Sequence, residues 1–188
     1  MTVIGIASDN GRQIGKIIKN MFSAQGKKTC IADSGTVCSE LIEALEKAGV
    51  EYVVVALKKG EILSVYLDIL ILETSEAIGY ELVKCISPET RLIYNRDNKQ
   101  MPEFVHPNAI SYGMSYNAEV TASSVDDKQE GVGLVYCLKR PVKSFGGTVL
   151  CECEMPVRVL NEAEIDEILA AVTCGLLCDL PVNILINI

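Results

Sequence analysis

The stretch SDNGRQ, residues 8–13, stands where a phosphate-binding loop would be expected. It follows an apolar run over 2–7 and precedes an amphipathic segment over 12–24, which together predict a strand, a turn and a helix. Such a turn binds phosphate through backbone N–H groups at the helix N-terminus and through a nearby cation. The candidate nucleotide-binding residues are therefore Asn10, Gly11, Arg12 and Gln13, and the ligand that such a loop would bind is a nucleotide with Mg²⁺.

The same loop lacks the groups on which phosphate binding most depends. Asp9 brings a carboxylate that competes for the helix-terminus amides and repels phosphate, and it is also a suitable N-cap. The planar guanidinium of Arg12 does not replace the point charge of a lysine. The Gln13 amide is a poor magnesium ligand beside a hydroxyl group. These residues favour a degenerate loop over a working nucleotide site, so no cofactor is assigned.

Glu73 is the candidate metal ligand, because it lies in the apolar strand predicted over 67–74 and close to its end. With no metal-binding partner in the loop, a solvated strand-end residue is the alternative. His106, the one histidine, lies in a connection with no positioned nucleophile, so we expect a structural role and not that of a general base. No residue is assigned a catalytic role.

Composition limits the partners of this chain. Hydrophobic residues make up 49% of the 188 residues and Trp is absent, which favours an aliphatic core of sheet and helices. The formal net charge of −8 argues against nucleic acid and an anionic membrane surface as partners. The sequence shows neither a signal-peptide pattern nor an apolar run of bilayer length. We therefore expect a cytoplasmic protein.

The eight cysteines are expected to be reduced thiols, since no secretion signal is seen. Two pairs have suggestive spacing. Cys151 and Cys153 would share one face of a strand, and Cys174 and Cys178 one face of a helix. Four such thiolates could hold zinc if the two faces met, but CxC and CxxxC are not the usual CxxC spacing. Buried cysteines of the core are the favoured interpretation.

Strands alternate with helices in the first half of the chain. The strands are apolar on both faces, which is typical of a parallel sheet covered by helices and joined by right-handed crossovers. The predicted strands cover 2–7, 28–33, 51–57, 67–74 and 90–95, and the predicted helices cover 12–24, 36–49 and 76–84.

The pattern then changes to strand-like stretches without helices between them, namely AISYGM, AEVTASSVDD, GVGLVYCLKR and GTVLCECEMPV. This predicts an antiparallel meander. A helix over 161–179 with Asn161 as N-cap follows, and 182–188 is a candidate terminal strand. We expect one α/β domain with a mostly parallel sheet flanked by helices, P-loop-like, and a small antiparallel β subdomain. Its parts are 1–107 (parallel α/β), 108–160 (antiparallel strands) and 161–188 (C-terminal helix and strand), within a single domain over 1–188.

Five motifs in this order resemble the central, ATP-binding domain of the Mur ligases, which add amino acids to the peptidoglycan precursor. VIGIASDNGRQIGKII is similar to that family's first strand, its TGTNGKTT loop and the next helix. DILILETSEAIG resembles a strand ending in an acidic residue and serines, and LIYNRDN resembles the VINADD segment. AISYGMSYNAEVTASSVD resembles ITYG…ADVRA…I, and MPVRVLNEAEIDEILAAVTCGLLCDLP resembles LPGRHNVYNALAAIAAALALGIP. The resemblance implies the Mur central-domain fold for almost the whole chain.

The sequence departs from this family at the residues that carry its chemistry. Arg12 and Gln13 stand where the family has the lysine that contacts the nucleotide phosphates and the hydroxyl residue that helps to bind magnesium. Ser8 and Asp9 replace a glycine and a threonine, whereas Glu73 matches the metal-binding glutamate. The segment with the carbamylated lysine and both flanking domains of the family have no counterpart.

The resemblance and its departures together predict a non-catalytic Mur-ligase-like protein with a binding or regulatory role in cell-envelope synthesis. One alternative is an ATP-dependent amide-bond ligase, or a nucleotide-binding subunit, completed by another chain. The other is a homo-oligomeric scaffold. Because the flanking domains are missing and five of the seven residues over 182–188 are apolar, we expect a homodimer or a complex with a protein partner.

Overall fold

Nine strands form one continuous sheet that brings distant parts of the chain together. The computed structural model describes residues 1–58, 63–73, 84–101, 104, 106–128, 131–160 and 163–181. The strands are β1 (Thr2–Ala7), β2 (Thr29–Asp33), β3 (Tyr52–Leu57), β4 (Ile69–Leu72), β5 (Arg91–Asn95), β6 (Ala109–Tyr112), β7 (Val120–Lys128), β8 (Gly131–Leu138) and β11 (Cys153–Val159). Their order in the sheet is β11-β8-β7-β6-β5-β4-β1-β3-β2. The short strands β9 (Val142–Lys143) and β10 (Val149–Leu150) form a separate antiparallel pair.

Strands β1 to β6 are parallel to their neighbours, which confirms an α/β architecture with a mostly parallel sheet. β1 lies between β3 and β4 and is apolar on both faces. Ile4 and Ile6 face one core cluster, and Val3 and Ala7 face the other. The order in which strands are added reverses between β1 and β4, so the carboxyl ends of these strands border the crevice where α/β sheets commonly bind ligands.

Three helices cover this sheet among the described residues: α1 (Gly11–Ala24), α2 (Ser39–Lys47) and α3 (Ile165–Leu177). α1 and α3 pack against each other on one face, and α2 contributes Ile42 and Leu45 to the opposite face. The inner side of α1 carries the apolar residues that its helical spacing predicts, namely Ile14, Ile17, Ile18, Met21 and Phe22. No helix in the described part of the chain is long and apolar enough to cross a membrane.

The expected antiparallel meander is wrong for its first strand. β6 pairs with β5 in parallel, because the connection over 96–108 is long enough for the crossover that a parallel pair needs. β7 also pairs in parallel with β6, at Val120, whereas β7–β8 and β8–β11 are antiparallel, as expected, and these strands extend the main sheet. The stretch expected as one strand over 147–157 is divided between β10 and β11.

Helix starts also differ from the sequence-based expectations. Asn10 and not Asp9 is the N-cap of α1, and its side chain makes no capping hydrogen bond. α2 begins at Ser39, after a 3-10 turn over Ser34–Thr36. α3 begins after Glu164, which forms a reciprocal capping box with the residue three positions later. The expected helix over 76–84 except its last residue, the N-cap Asn161 and the terminal strand over 182–188 lie outside the described residues.

Candidate functional site

A cleft of about 470 Å³ opens at the carboxyl edge of the parallel strands. It lies where β1, β4 and β5 end and where α3 begins, so four segments that are distant in sequence contribute side chains. Its volume lies within the range of ligand-binding pockets. The lining residues are Ser8, Asp9, Asn10, Glu73, Asn95, Asp97, Asn98, Glu164 and Asp166. Five of these nine residues are Asp or Glu and none is basic, so the cleft is strongly acidic.

The loop after β1 is a closed turn whose amides bond within the loop. The N–H of Asn10 donates to Ser8 Oγ at 3.0 Å, and the N–H of Gly11 donates to the Ser8 carbonyl at 3.2 Å. The N–H of Gln13 donates to the Asn10 carbonyl at 2.8 Å. Phosphate-binding loops work by directing such amides at the ligand. Here three of the amides that would be needed already have partners.

The predicted loop residues do not converge on the cleft. Gly11 packs against β1, where a Cβ would lie 3.3 Å from the Ile6 carbonyl oxygen, so its missing side chain serves close packing. Arg12 is 70% exposed and binds Asp33 at the end of β2, with Nη2 2.5 Å and Nε 3.2 Å from the two carboxylate oxygens. This hydrogen bond lowers the pKa of Asp33. Of the four candidates, only Asn10 lines the cleft.

Glu73 is half-buried at the centre of the cleft. Its carboxylate accepts hydrogen bonds from the Ser8 hydroxyl and, at 3.4 Å, from the Tyr112 hydroxyl. Asn98 Nδ2 donates to its backbone carbonyl at 2.8 Å. Burial raises the pKa of Glu73, and the charges of Asp166 and Glu167 raise it further against the opposing hydrogen bonds. Glu73 is therefore fixed by neighbouring side chains and faces other carboxylates.

The residues at the end of β5 and at the start of α3 were missed by sequence reasoning, although they provide five of the nine residues that line the cleft. Asn95 Nδ2 donates to Asp166 Oδ2 at 2.9 Å and joins the two segments. The carboxylate of Asp97 accepts the N–H groups of Met114 and Ser115 at 2.5 and 2.8 Å. The available signal was the polar run NRDN directly after an apolar strand, because such runs meet at the carboxyl edge of a parallel sheet.

The N-terminus of α3 ties the cleft to the loop after β1. Glu167 is 4% exposed, its carboxylate accepts the Glu164 N–H at 3.0 Å, and the nearby Asn10 side chain opposes the rise of its pKa. Burial raises the pKa of both Glu167 and Asp166. Asn10, at the start of α1, therefore lies beside the first turn of α3.

The two cysteine pairs do not come together. Cys153 lies on β11 and Cys151 precedes that strand, so they do not share a strand face as expected, and both are exposed. Cys174 and Cys178 are buried, and a hydrogen bond to Cys178 together with burial raises the pKa of Cys174 well above its usual value. In the described part of the chain, no group of three or more His, Cys, Asp or Glu residues is arranged to hold a metal ion.

His106 lies outside the cleft and holds a turn together. Its Nδ1 accepts the Asn108 N–H at 3.3 Å, and its Nε2 lies 3.3 Å from the Ser87 carbonyl oxygen. Nε2 donates to that oxygen in the tautomer that satisfies both contacts. These contacts give His106 a structural role in the connection between β5 and β6.

Neither a comparison with protein-family models nor one with curated proteins finds a match for this chain. The class of the protein therefore rests on its fold and cleft. It is an α/β domain with a mostly parallel sheet and an acidic cleft at the switch point of that sheet.

We expect the free energy of unfolding to fall as the pH rises above the ordinary carboxyl pKa of about 4.3. Burial raises the pKa of Glu73, Asp166 and Glu167, so the folded state keeps protons that the unfolded state releases. The stabilisation from these groups is complete below the ordinary carboxyl pKa of about 4.3 and is lost as the pH rises through the raised values. Groups with lowered pKa, such as Asp33, lose their contribution only at lower pH.

Urea unfolding at a series of pH values measures this slope. Glu73→Gln should flatten it, because the titrating group is removed while the side-chain shape is kept. Glu152→Gln is the matched control, since Glu152 is exposed and does not line the cleft. A wild-type stability that increases over this range, or an unchanged slope in Glu73→Gln, would contradict the assignment.

Proposed function

We propose that this chain is a Mur-ligase-like domain that acts by binding and not by ligase chemistry, with a regulatory role in cell-envelope synthesis. The motif order of the sequence supports the family, and the parallel sheet with its cleft at the β1–β4 switch point is the architecture that such a domain requires. The link to peptidoglycan comes from the resemblance alone. A cytoplasmic location is part of the same proposal.

The observation that carries the non-catalytic role is the closed, acidic turn after β1. Asn10, Gly11 and Gln13 direct their amides into the loop itself, so a nucleotide phosphate would have to displace these hydrogen bonds. The phosphate would also lie against the carboxylates of Asp9 and Glu73. The negative charges of the phosphate and of these carboxylates would repel each other strongly in a partly buried site.

The cation of the loop gives no compensation for this repulsion. Arg12 binds the Asp33 carboxylate through two hydrogen bonds, and its side chain does not line the cleft. Moving it toward a phosphate would break this paired contact and leave Asp33 without its partner. The cleft of this chain alone therefore disfavours ATP.

We expect Mg-ATP to bind more weakly than about 1 mM, which corresponds to a binding free energy of about −4.1 kcal/mol. Isothermal titration calorimetry with and without Mg²⁺ measures this affinity.

A thermal-shift screen of peptidoglycan precursors, run in parallel, searches for the ligand. A ligand present at 100 times its Kd stabilises the fold by about 2.7 kcal/mol.

Magnesium-dependent ATP binding at micromolar Kd would overturn the proposal. Loss of that binding in Glu73→Gln would then locate it in the cleft, where Glu73 would be the metal ligand. That result would favour the alternative, a nucleotide-binding subunit completed by another chain.

A further inference from the structure

A second cavity of about 460 Å³ adjoins the acidic cleft and differs from it in character. The two share Asp97, Glu164 and Asp166, so they form one continuous groove along the end of the sheet. The remaining wall of the second cavity is apolar and comes from β7, β8, the loop after β6 and the start of α3. Its residues are Met114, Val125, Val132, Ala163 and Ile165. We call this wall together with the three shared carboxylates the mixed groove.

The apolar wall of the mixed groove is open to solvent. Met114 is 49% exposed and Val125 is 41% exposed, and they are two of the few large apolar side chains with such exposure in the described residues. Both lie on one cavity, beside the partly buried Ile165. Apolar surface concentrated in a concave site and bordered by polar residues commonly marks a binding surface.

The charged border of the mixed groove is fixed in position. Asp97 is held by two backbone N–H groups, Asp166 by the Asn95 amide, and Glu164 by the capping box of α3. No Lys, Arg or His is among the described residues that line either cavity. Burial raises the pKa of Asp166, and the charges of Asp97 and Glu164 raise it further. A cation placed among these carboxylates would relieve their mutual repulsion.

We infer that the mixed groove binds a short segment of a partner protein that presents a Lys or Arg side chain beside an apolar side chain. The basic side chain lies among Asp97, Glu164 and Asp166, and the apolar side chain packs against the apolar wall of the mixed groove. This inference rests on the proposed binding function and names the chemistry of the partner.

Charge complementarity selects this occupant over two others. A simple metal ion would use the carboxylates and leave the apolar cavity unfilled. A second copy of the chain would bring a formal net charge of −8 to an acidic surface, which opposes association. An acidic border beside an apolar wall suits two neighbouring side chains of one peptide, one basic and one apolar.

Three acetylated and amidated tetrapeptides provide the test: Leu-Lys-Leu-Lys, its charge-reversed form Leu-Glu-Leu-Glu, and Gly-Lys-Gly-Lys. Their binding to the full chain is measured by isothermal titration calorimetry at low and high salt. We expect Leu-Lys-Leu-Lys to bind at least about tenfold more tightly than either of the others, and the binding to weaken with salt. Equal binding of the charge-reversed peptide, or no binding of Leu-Lys-Leu-Lys, would overturn the inference.

Substitutions locate the binding. Asp166→Asn keeps the side-chain shape and should weaken Leu-Lys-Leu-Lys about fivefold to tenfold, and Val125→Thr should weaken it by a smaller factor. Glu152→Gln is the control, because it changes the net charge by the same amount at a residue outside the groove. Its neighbour Cys153 pairs with Leu138, and Leu138 lies at the other end of β8 from the groove residue Val132. An effect of Glu152→Gln as large as that of Asp166→Asn would overturn the inference. If no peptide binds, the inference about the mixed groove fails, but the measured affinity for Mg-ATP still tests the proposed function. The two proposals can therefore fail independently.

Discussion

Replacing Tyr136 by alanine is expected to lower the free energy of unfolding by about 3–5 kcal/mol. Tyr136 lies on β8 with no exposed surface, in the core cluster that joins the sheet to α1 and α3. The alanine variant loses the transfer free energy of the ring and leaves a cavity that the surrounding strands and helix can fill only in part. The Tyr136 ring belongs to the same core cluster as the buried face of α3, and both β8 and α3 contribute residues to the mixed groove.

The hydroxyl of Tyr136 adds a smaller, separable contribution. It lies 2.9 Å from Thr173 Oγ1, and the Thr173 hydroxyl donates to the Leu169 carbonyl at 2.7 Å. Thr173 therefore accepts the hydrogen from Tyr136, and the chain of two bonds ties β8 to α3. Tyr136→Phe keeps the ring and should cost about 1 kcal/mol.

Urea unfolding followed by circular dichroism gives both values, with Tyr136→Phe as the matched control for Tyr136→Ala. An alanine variant less than about 1.5 kcal/mol below the wild type would show that the interface between β8 and α3 is looser than its burial implies.

The parallel half of the fold could be predicted from sequence because each strand is an apolar run and each helix has a repeating apolar face. α1 shows this most clearly, since Ile14, Ile17, Ile18, Met21 and Phe22 are all buried as their spacing requires. Periodicity states which face of an element is buried. It does not state which strand lies beside which.

The second half of the sheet shows that limit. β6 has the same alternating pattern whether its partner is parallel or antiparallel, and only the long connection over 96–108 distinguishes the two. The continuation of the sheet from β6 to β7 rests on a single pair, Tyr112 with Val120. A junction this small leaves no recognisable signal in the sequence.

The cleft was partly predictable for a similar reason. Glu73 and the loop after β1 could be found because each follows an apolar strand. Asp166 could not, since it is 71 residues from its partner Asn95 and its neighbours in the sequence describe only a helix start. Part of the acidic charge of the cleft, that of Glu164 and Asp166, is added by this long-range contact.

Replacing Gly131 by alanine is expected to lower the free energy of unfolding by about 3 kcal/mol or more. Gly131 begins β8 with φ +125°, a backbone conformation that residues other than glycine rarely adopt. A Cβ there would clash with the Val159 carbonyl oxygen and lie 2.9 Å from Leu160 Cα. These are backbone atoms of the neighbouring chain segment, so the clash cannot be relieved by a side-chain rotation.

Gly26→Ala separates backbone strain from this clash. Gly26 has φ +69°, and no atom lies within 4 Å of a Cβ built there, so alanine meets strain alone and should cost about 1–2 kcal/mol. Urea unfolding compares the two variants directly. The larger loss of stability in Gly131→Ala would come from moving the end of β11 away from β8 beside Val132. Because Val132 lines the mixed groove, this variant should also bind the Leu-Lys-Leu-Lys peptide more weakly. Equal losses at the two glycines would mean that the end of β11 yields without cost, and the apolar wall of the mixed groove would then lack a rigid support.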